Sequence, residues 1–154
     1  MQDCDRPRSH RLRSGRCSER GRIYLVTAVT LQRQSLFAHW DAGCACARAL
    51  HAAPYESTIT SLAWVVMPDH VHWLFSLDDG PLDRVMQRFK SRAARAVNVA
   101  RGKRGAVWQA GYHDHAVRLE EDLRDLARYV IANPVRAGLV HRVGEYPFWD
   151  AAWL

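Results

Sequence analysis

The segment Met67-Pro68-Asp69-His70-Val71-His72-Trp73-Leu74 sets two histidines one residue apart inside an otherwise apolar run. On a β-strand, side chains two apart share a face. His70 and His72 therefore project together, while Val71, Trp73, Phe75 and Leu77 project from the other side. Two neutral imidazoles held side by side on a rigid strand make half of a divalent-metal site. A third ligand and a reacting group must come from elsewhere in the chain.

The elements that would position them follow from hydrophobic period and turn signals. Residues 22–30 and 58–66 read as strands, and His70 to Leu77 reads as a third, antiparallel to the second. An alanine-rich helix is expected over 38–52, with Trp40 and Leu50 apolar. Asp78-Asp79-Gly80-Pro81 ends the third strand and opens a helix from Leu82 to about Ala100, with Leu82, Val85, Met86, Phe89, Ala93 and Val97 on its buried face. A fourth strand spans about 106–117, interrupted near Ala110-Gly111. A last helix runs from about Leu119 to Ala132 and stops at Asn133-Pro134, because proline disfavours a helical residue before it. The order β-α-β-β-α-β followed by a helix predicts an α+β, ferredoxin-like antiparallel sheet with two helices on one face.

At 154 residues with 48% hydrophobic and 25% charged content, the chain is one globular domain. It has no apolar run of the ~20 residues that a membrane span needs, and its arginine-rich N-terminus lacks the apolar segment of a secretory signal, so a cytoplasmic protein is expected. Cys4, Cys17, Cys44 and Cys46 match no zinc spacing and read as small packing residues.

The net charge of +6 is uneven. Residues 1–22 carry seven arginines against three acids and read as a basic, flexible arm before a single domain over 23–154. Residues 82–104 carry eight basic groups (Arg84, Arg88, Lys90, Arg92, Arg95, Arg101, Lys103 and Arg104) against Asp83 alone, leaving −5 for the rest. Arg84, Arg88, Arg92 and Arg95 fall within ~80° around the helix, opposite its apolar face and with no acidic partner along it. Such a stripe, followed by a basic loop, suits a polyanion.

On the last helix, Tyr129 and Asn133 lie one turn apart on the flank of the Leu119, Leu123, Leu126 and Val130 stripe, with Asp122 and Asp125 on the same flank. Two helices on one sheet face leave the other face to this third helix. If that face bears His70 and His72, Asn133 can supply a carbonyl oxygen as third ligand, with Tyr129 beside the metal.

The His-x-His segment, Val107-Trp108-Gln109-Ala110-Gly111-Tyr112-His113-Asp114-His115, Tyr129-Val130-Ile131-Ala132-Asn133-Pro134-Val135-Arg136-Ala137-Gly138-Leu139-Val140 and the tail Tyr146-Pro147-Phe148-Trp149-Asp150 together resemble the REP-associated tyrosine transposases. These are members of the single-tyrosine HUH (His-hydrophobic-His) group, and the resemblance covers about residues 22–154. It implies that His70 and His72 are metal ligands, that Asn133 takes the third-ligand position, and that Tyr129 is the nucleophile. It also implies Mg²⁺ or Mn²⁺ as cofactor, no nucleotide cofactor, and single-stranded DNA folded as a palindromic hairpin as partner. The chain would act as monomer or homodimer and associate with the nucleoid. On this reading Arg84, Arg88, Lys90, Arg92, Arg95, Arg101, Lys103 and Arg104 contact DNA. His113 and His115 read as structural or DNA-contacting. Two rival readings are a hairpin-binding protein with vestigial cleavage and a hydrolytic metallo-nuclease in which Tyr129 only packs.

Overall fold

The computed structural model describes residues 21–118 and 121–153. Most of the expected basic arm, with Cys4, Cys17 and His10, lies outside them, as does Leu119.

Five strands form one antiparallel sheet: β1 (Arg22–Val29), β2 (Ile59–Val66), β3 (His70–Leu77), β4 (His113–Ala116) and β5 (Trp149–Ala151), in the order β4-β1-β3-β2-β5. Without β5 this is the ferredoxin-like order. The β-rich composition of β1 to β3 and the tight Met67-Pro68-Asp69 turn yield the expected central strands, and β3 has the expected bounds. β5 was not anticipated. Three residues are too few for period two to stand out, and β5 extends the sheet by pairing with the edge of β2 at Ala63, Trp64 and Val65.

Helices α1 (Trp40–Glu56) and α2 (Leu82–Arg101) cover one face. Their cluster includes Leu50, Val85, Met86, Phe89 and Val97, packed on Val71, Trp73, Phe75 and Leu77 of β3. α1 runs four residues past its expected end, because Pro54 falls in the last turn, where a missing N–H forfeits only one helix bond. Trp40 is not core: it is 63% exposed and tilts against Phe148 at 5.1 Å. Cys46 is buried among the α1 packing residues, and burial pushes its thiol well up.

The fourth strand is split as its Ala110-Gly111 step suggests. Trp108 bridges Thr30, the ladder lapses, and it resumes at His113 against Thr27. Lys90 donates to the carbonyl oxygens of Gln109 (2.8 Å) and Gly111 (2.7 Å) across the gap.

α3 (Leu123–Ile131) is shorter than expected. Asp122 is its N-cap, accepting from the backbone N–H of Arg124 (2.8 Å) and Asp125 (3.2 Å), so the helix starts at Leu123 and Asp122 lies on no helix flank. Proline ends α3 as expected, but Asn133–Arg136 adds a separate turn, α4. α3 packs on β2, β3 and β5. Its Ala127, Val130 and Ile131 join Val65, Met67 and Leu74 in a second apolar cluster on the sheet face opposite α1 and α2.

Candidate active site

Strand alternation puts His70, His72 and Leu74 on one face of β3. Leu74 belongs to the α3 cluster, so the imidazoles stand on the face that α3 covers. Their ring centroids are 4.7 Å apart, edge to face.

Each imidazole is held through Nδ1. His70 Nδ1 lies 2.6 Å from Asp69 Oδ1, and Asp69 in turn accepts from Arg33 at 3.3 Å. Burial alone would raise the Asp69 carboxyl, but His70 and Arg33 hold it below the usual carboxylate range. A carboxylate only accepts, so His70 donates from Nδ1 and its Nε2 is the atom left for a ligand. His72 Nδ1 lies 2.8 Å from the hydroxyl of Thr27, its cross-strand partner in the β1–β3 register. Burial, with the charges of His70 and Arg136, pushes His72 down to about 4, so this imidazole is neutral at physiological pH. Metal ligation through Nε2 requires a ring whose Nδ1 is oriented by a partner, and each imidazole has one.

Tyr129, on the last turn of α3, is 56% exposed. Arg136 of α4 reaches back two turns: its Nη2 donates to the Tyr129 carbonyl at 2.7 Å, and its guanidinium stacks 3.9 Å from the ring centroid. The same guanidinium is close enough to His72 to depress its protonation. Asn133 donates its amide to the carbonyls of Val130 (2.9 Å) and Tyr129 (3.4 Å), which leaves its side-chain oxygen for a ligand. Among the described residues, no group of three or more His, Cys, Asp or Glu side chains converges to hold a metal.

The second His-x-His lands on the same sheet face. His113, Thr27 and His72 sit in one cross-strand row, which places His113 roughly 10 Å from His72 at ~4.8 Å per strand. His113 is exposed. His115 pairs instead with Glu121 (3.2 Å), which also accepts from the Arg118 N–H.

The basic stripe lies elsewhere. α2 packs on the opposite face of the sheet, so exposed Arg84, Arg88, Arg92 and Arg95 are separated from the imidazoles by the sheet itself. The stripe is also less free than its sequence suggests, since Arg92 pairs with Glu56 at the end of α1. Lys90 is used on the 109–111 loop. Arg101, Lys103 and Arg104 lead toward Val107 and Trp108, which bond to Leu31 and Thr30 just beyond Val29, the residue that pairs with His70. That loop is at the imidazole end of the sheet.

Residues 20–133 match the family described as Transposase IS200 like. The chain belongs to the IS200-like transposase family. It is similar to the REP-associated tyrosine transposase of Escherichia coli K12, with 33% identity over 86 residues, 56% of this chain and 50% of that protein. A Haemophilus influenzae Rd protein provisionally named as a REP-associated tyrosine transposase is 29% identical over 106 residues, 62% of this chain and 58% of its own length. The chain thus spans little more than half the length of these curated relatives. Among solved structures, a REP-associated tyrosine transposase bound to a REP hairpin superposes with a TM-score of 0.71. It is 25% identical over 87% of this chain and 79% of that one. A Deinococcus radiodurans R1 protein provisionally named as a transposase shares the fold, with a TM-score of 0.55 and 19% identity over 79% of this chain and 97% of that one.

Four residues around this candidate site escape a reading of the sequence. Thr27 is an ordinary strand threonine until the register is known. Asp69 reads as turn chemistry, and Arg33 follows an unremarked loop in which Gln32 and Arg33 both adopt positive φ (56° and 52°). Arg136 lies seven residues from Tyr129, a two-turn spacing that signals proximity only if the helix is taken past Pro134.

Proposed function

We propose that the protein is a metal-dependent single-strand DNA endonuclease and strand transferase, cutting at palindromic hairpin elements through Tyr129. The observation that carries this reading is that exposed Tyr129 stands at the end of α3, the helix that covers the sheet face bearing His70 and His72. A tyrosine that merely packed would not stand exposed on the helix that covers the imidazole face. The similarity to a hairpin-bound transposase structure supports a DNA hairpin as the partner.

A divalent cation fits the donor set. His70 and His72 would hold it through Nε2 and Asn133 through its side-chain oxygen, with Mg²⁺ or Mn²⁺ favoured once phosphate oxygens complete the shell. When bound, such an ion polarises a phosphodiester and offsets its developing negative charge. The chain's own residues do the rest. Asp69 and Thr27 keep the two imidazoles in ligating orientation. Tyr129 loses its phenolic proton to water and attacks phosphorus, and the bond from phosphorus to the 3′ oxygen breaks. That oxygen takes up a proton. Cleavage therefore leaves a 5′-phosphotyrosine and a 3′-hydroxyl, and attack by a 3′-hydroxyl reverses it without any nucleotide cofactor.

The DNA backbone would be held by Arg101, Lys103 and Arg104 at the imidazole end, and by Arg84, Arg88, Arg92 and Arg95 where the nucleic acid wraps onto the α2 layer. Lys90 adds charge while holding its loop. Binding would weaken steeply as salt rises.

The test is covalent capture. A labelled pool of palindromic hairpins with randomised single-stranded feet is incubated with Mn²⁺ and resolved on a denaturing gel. The expected result is a protein–DNA adduct, lost in Tyr129→Phe. Binding without any adduct would mean a hairpin-binding protein, and cleavage that survives Tyr129→Phe would mean water is the nucleophile.

A further inference from the structure

The guanidinium of Arg136 does two things that a helix cap alone would not require. A cap needs only the 2.7 Å bond to the Tyr129 carbonyl. Here the group also sits over the phenol, 3.9 Å from the ring centroid, although both side chains are exposed. The backbone bond and the ring contact together hold the guanidinium at two points. A guanidinium carries five N–H donors in a rigid fork, and the carbonyl engages one nitrogen. The other nitrogens are left over the phenol ring.

We propose that Arg136 is the positioning residue of the strand-transfer reaction: it locks the Tyr129 ring and offers its remaining N–H donors to a non-bridging oxygen of the phosphate under attack. This rests on the reading of Tyr129 as the nucleophile. A guanidinium fork matches phosphate geometry, so the donors left over the ring would meet a phosphate brought to the phenol. The cation stays in place as the phosphorus transfers to Tyr129. Arg136 therefore favours the phosphotyrosine as well as the attack, and serves the reverse reaction equally.

The experiment measures single-turnover adduct formation by the full chain, with Mn²⁺ and the randomised-foot hairpin pool, alongside pool binding by gel shift. Arg136→Ala should lower the rate at saturating DNA about 100-fold, as for loss of one preorganised transition-state donor, with binding changed less than about threefold. Arg136→Lys, which restores charge without the fork, should recover only part of the rate. Millimolar guanidinium ion should partly rescue Arg136→Ala and do nothing for Tyr129→Phe. Wild-type rates in Arg136→Ala would overturn the proposal. So would a rate loss that tracks thermal unfolding and is not rescued by guanidinium. An adduct that persists in Tyr129→Phe would instead remove the nucleophile reading on which the proposal stands.

Discussion

Thr27 faces His72 across the β1–β3 ladder, and its hydroxyl lies 2.8 Å from His72 Nδ1. A hydroxyl can donate or accept, so this contact alone leaves the tautomer open. Ligation through Nε2 requires Nδ1–H to donate to Thr27. Thr27→Val keeps the shape of the side chain and removes the acceptor. Metal affinity, measured by Mn²⁺ titration of adduct formation, should fall about 10- to 100-fold, as for other lost supports of a ligating histidine. An unchanged Mn²⁺ requirement would show that His72 does not depend on Thr27 for its orientation.

Asp69 performs the same service for His70, with a stronger partner. Its carboxylate is 2.6 Å from Nδ1 and is itself held by Arg33 at 3.3 Å. Asp69→Ala should therefore lower the Mn²⁺ affinity at least as much as Thr27→Val. Arg33→Ala should do less, because its bond to Asp69 is exposed and screened. His70→Ala should remove cleavage and spare hairpin binding in a gel shift. Loss of cleavage and binding together would argue that His70 is structural.

Much of this arrangement was readable beforehand, because period two on β3 and period 3.6 on α2 are local signals. They placed the imidazoles opposite Val71, Trp73 and Phe75, and the third helix on the remaining sheet face. What escaped depends on register and on chain breaks. Thr27 meets His72 only through the alignment of β1 with β3. Arg136 reaches Tyr129 only because a separate turn follows Pro134. The arginines of α2 form a stripe in sequence, yet only the packing of α1 beside α2 reveals Glu56 as the partner of Arg92. β5 was invisible because three residues carry no period.

Tyr146 ties the tail to the end of β2, just ahead of the Met67-Pro68-Asp69 turn. Its hydroxyl donates to the Val66 carbonyl, and burial pushes its phenol up to about 12. A raised folded-state value favours the neutral form. The associated stability is thus fully present below the unfolded value near 10 and is lost as pH climbs toward 12. Tyr146→Phe should cost about 1 kcal/mol at pH 8 and flatten the decline in urea midpoint between pH 10 and 12. A decline of unchanged steepness in the variant would show that other groups set the alkaline limit.

Gly43 on α1 pits helix propensity against packing. Glycine inside a helix costs roughly 1 kcal/mol relative to alanine, so Gly43→Ala ought to stabilise if space allowed. A Cβ built there would lie 2.4 and 2.6 Å from the Phe148 ring, closer than any real contact. The ring has little room to yield, since it is packed against Trp40 at 5.1 Å and Tyr146 at 6.1 Å. Overpacking of this kind costs about 1–3 kcal/mol, which exceeds the propensity gain over most of that range. Gly43→Ala should therefore lower the urea midpoint and loosen the tail that carries β5. Adding Phe148→Leu should make the two changes non-additive, the second recovering part of the loss caused by the first. A stabilised Gly43→Ala single variant would mean that Phe148 swings away freely and that the tail is not clamped at this point.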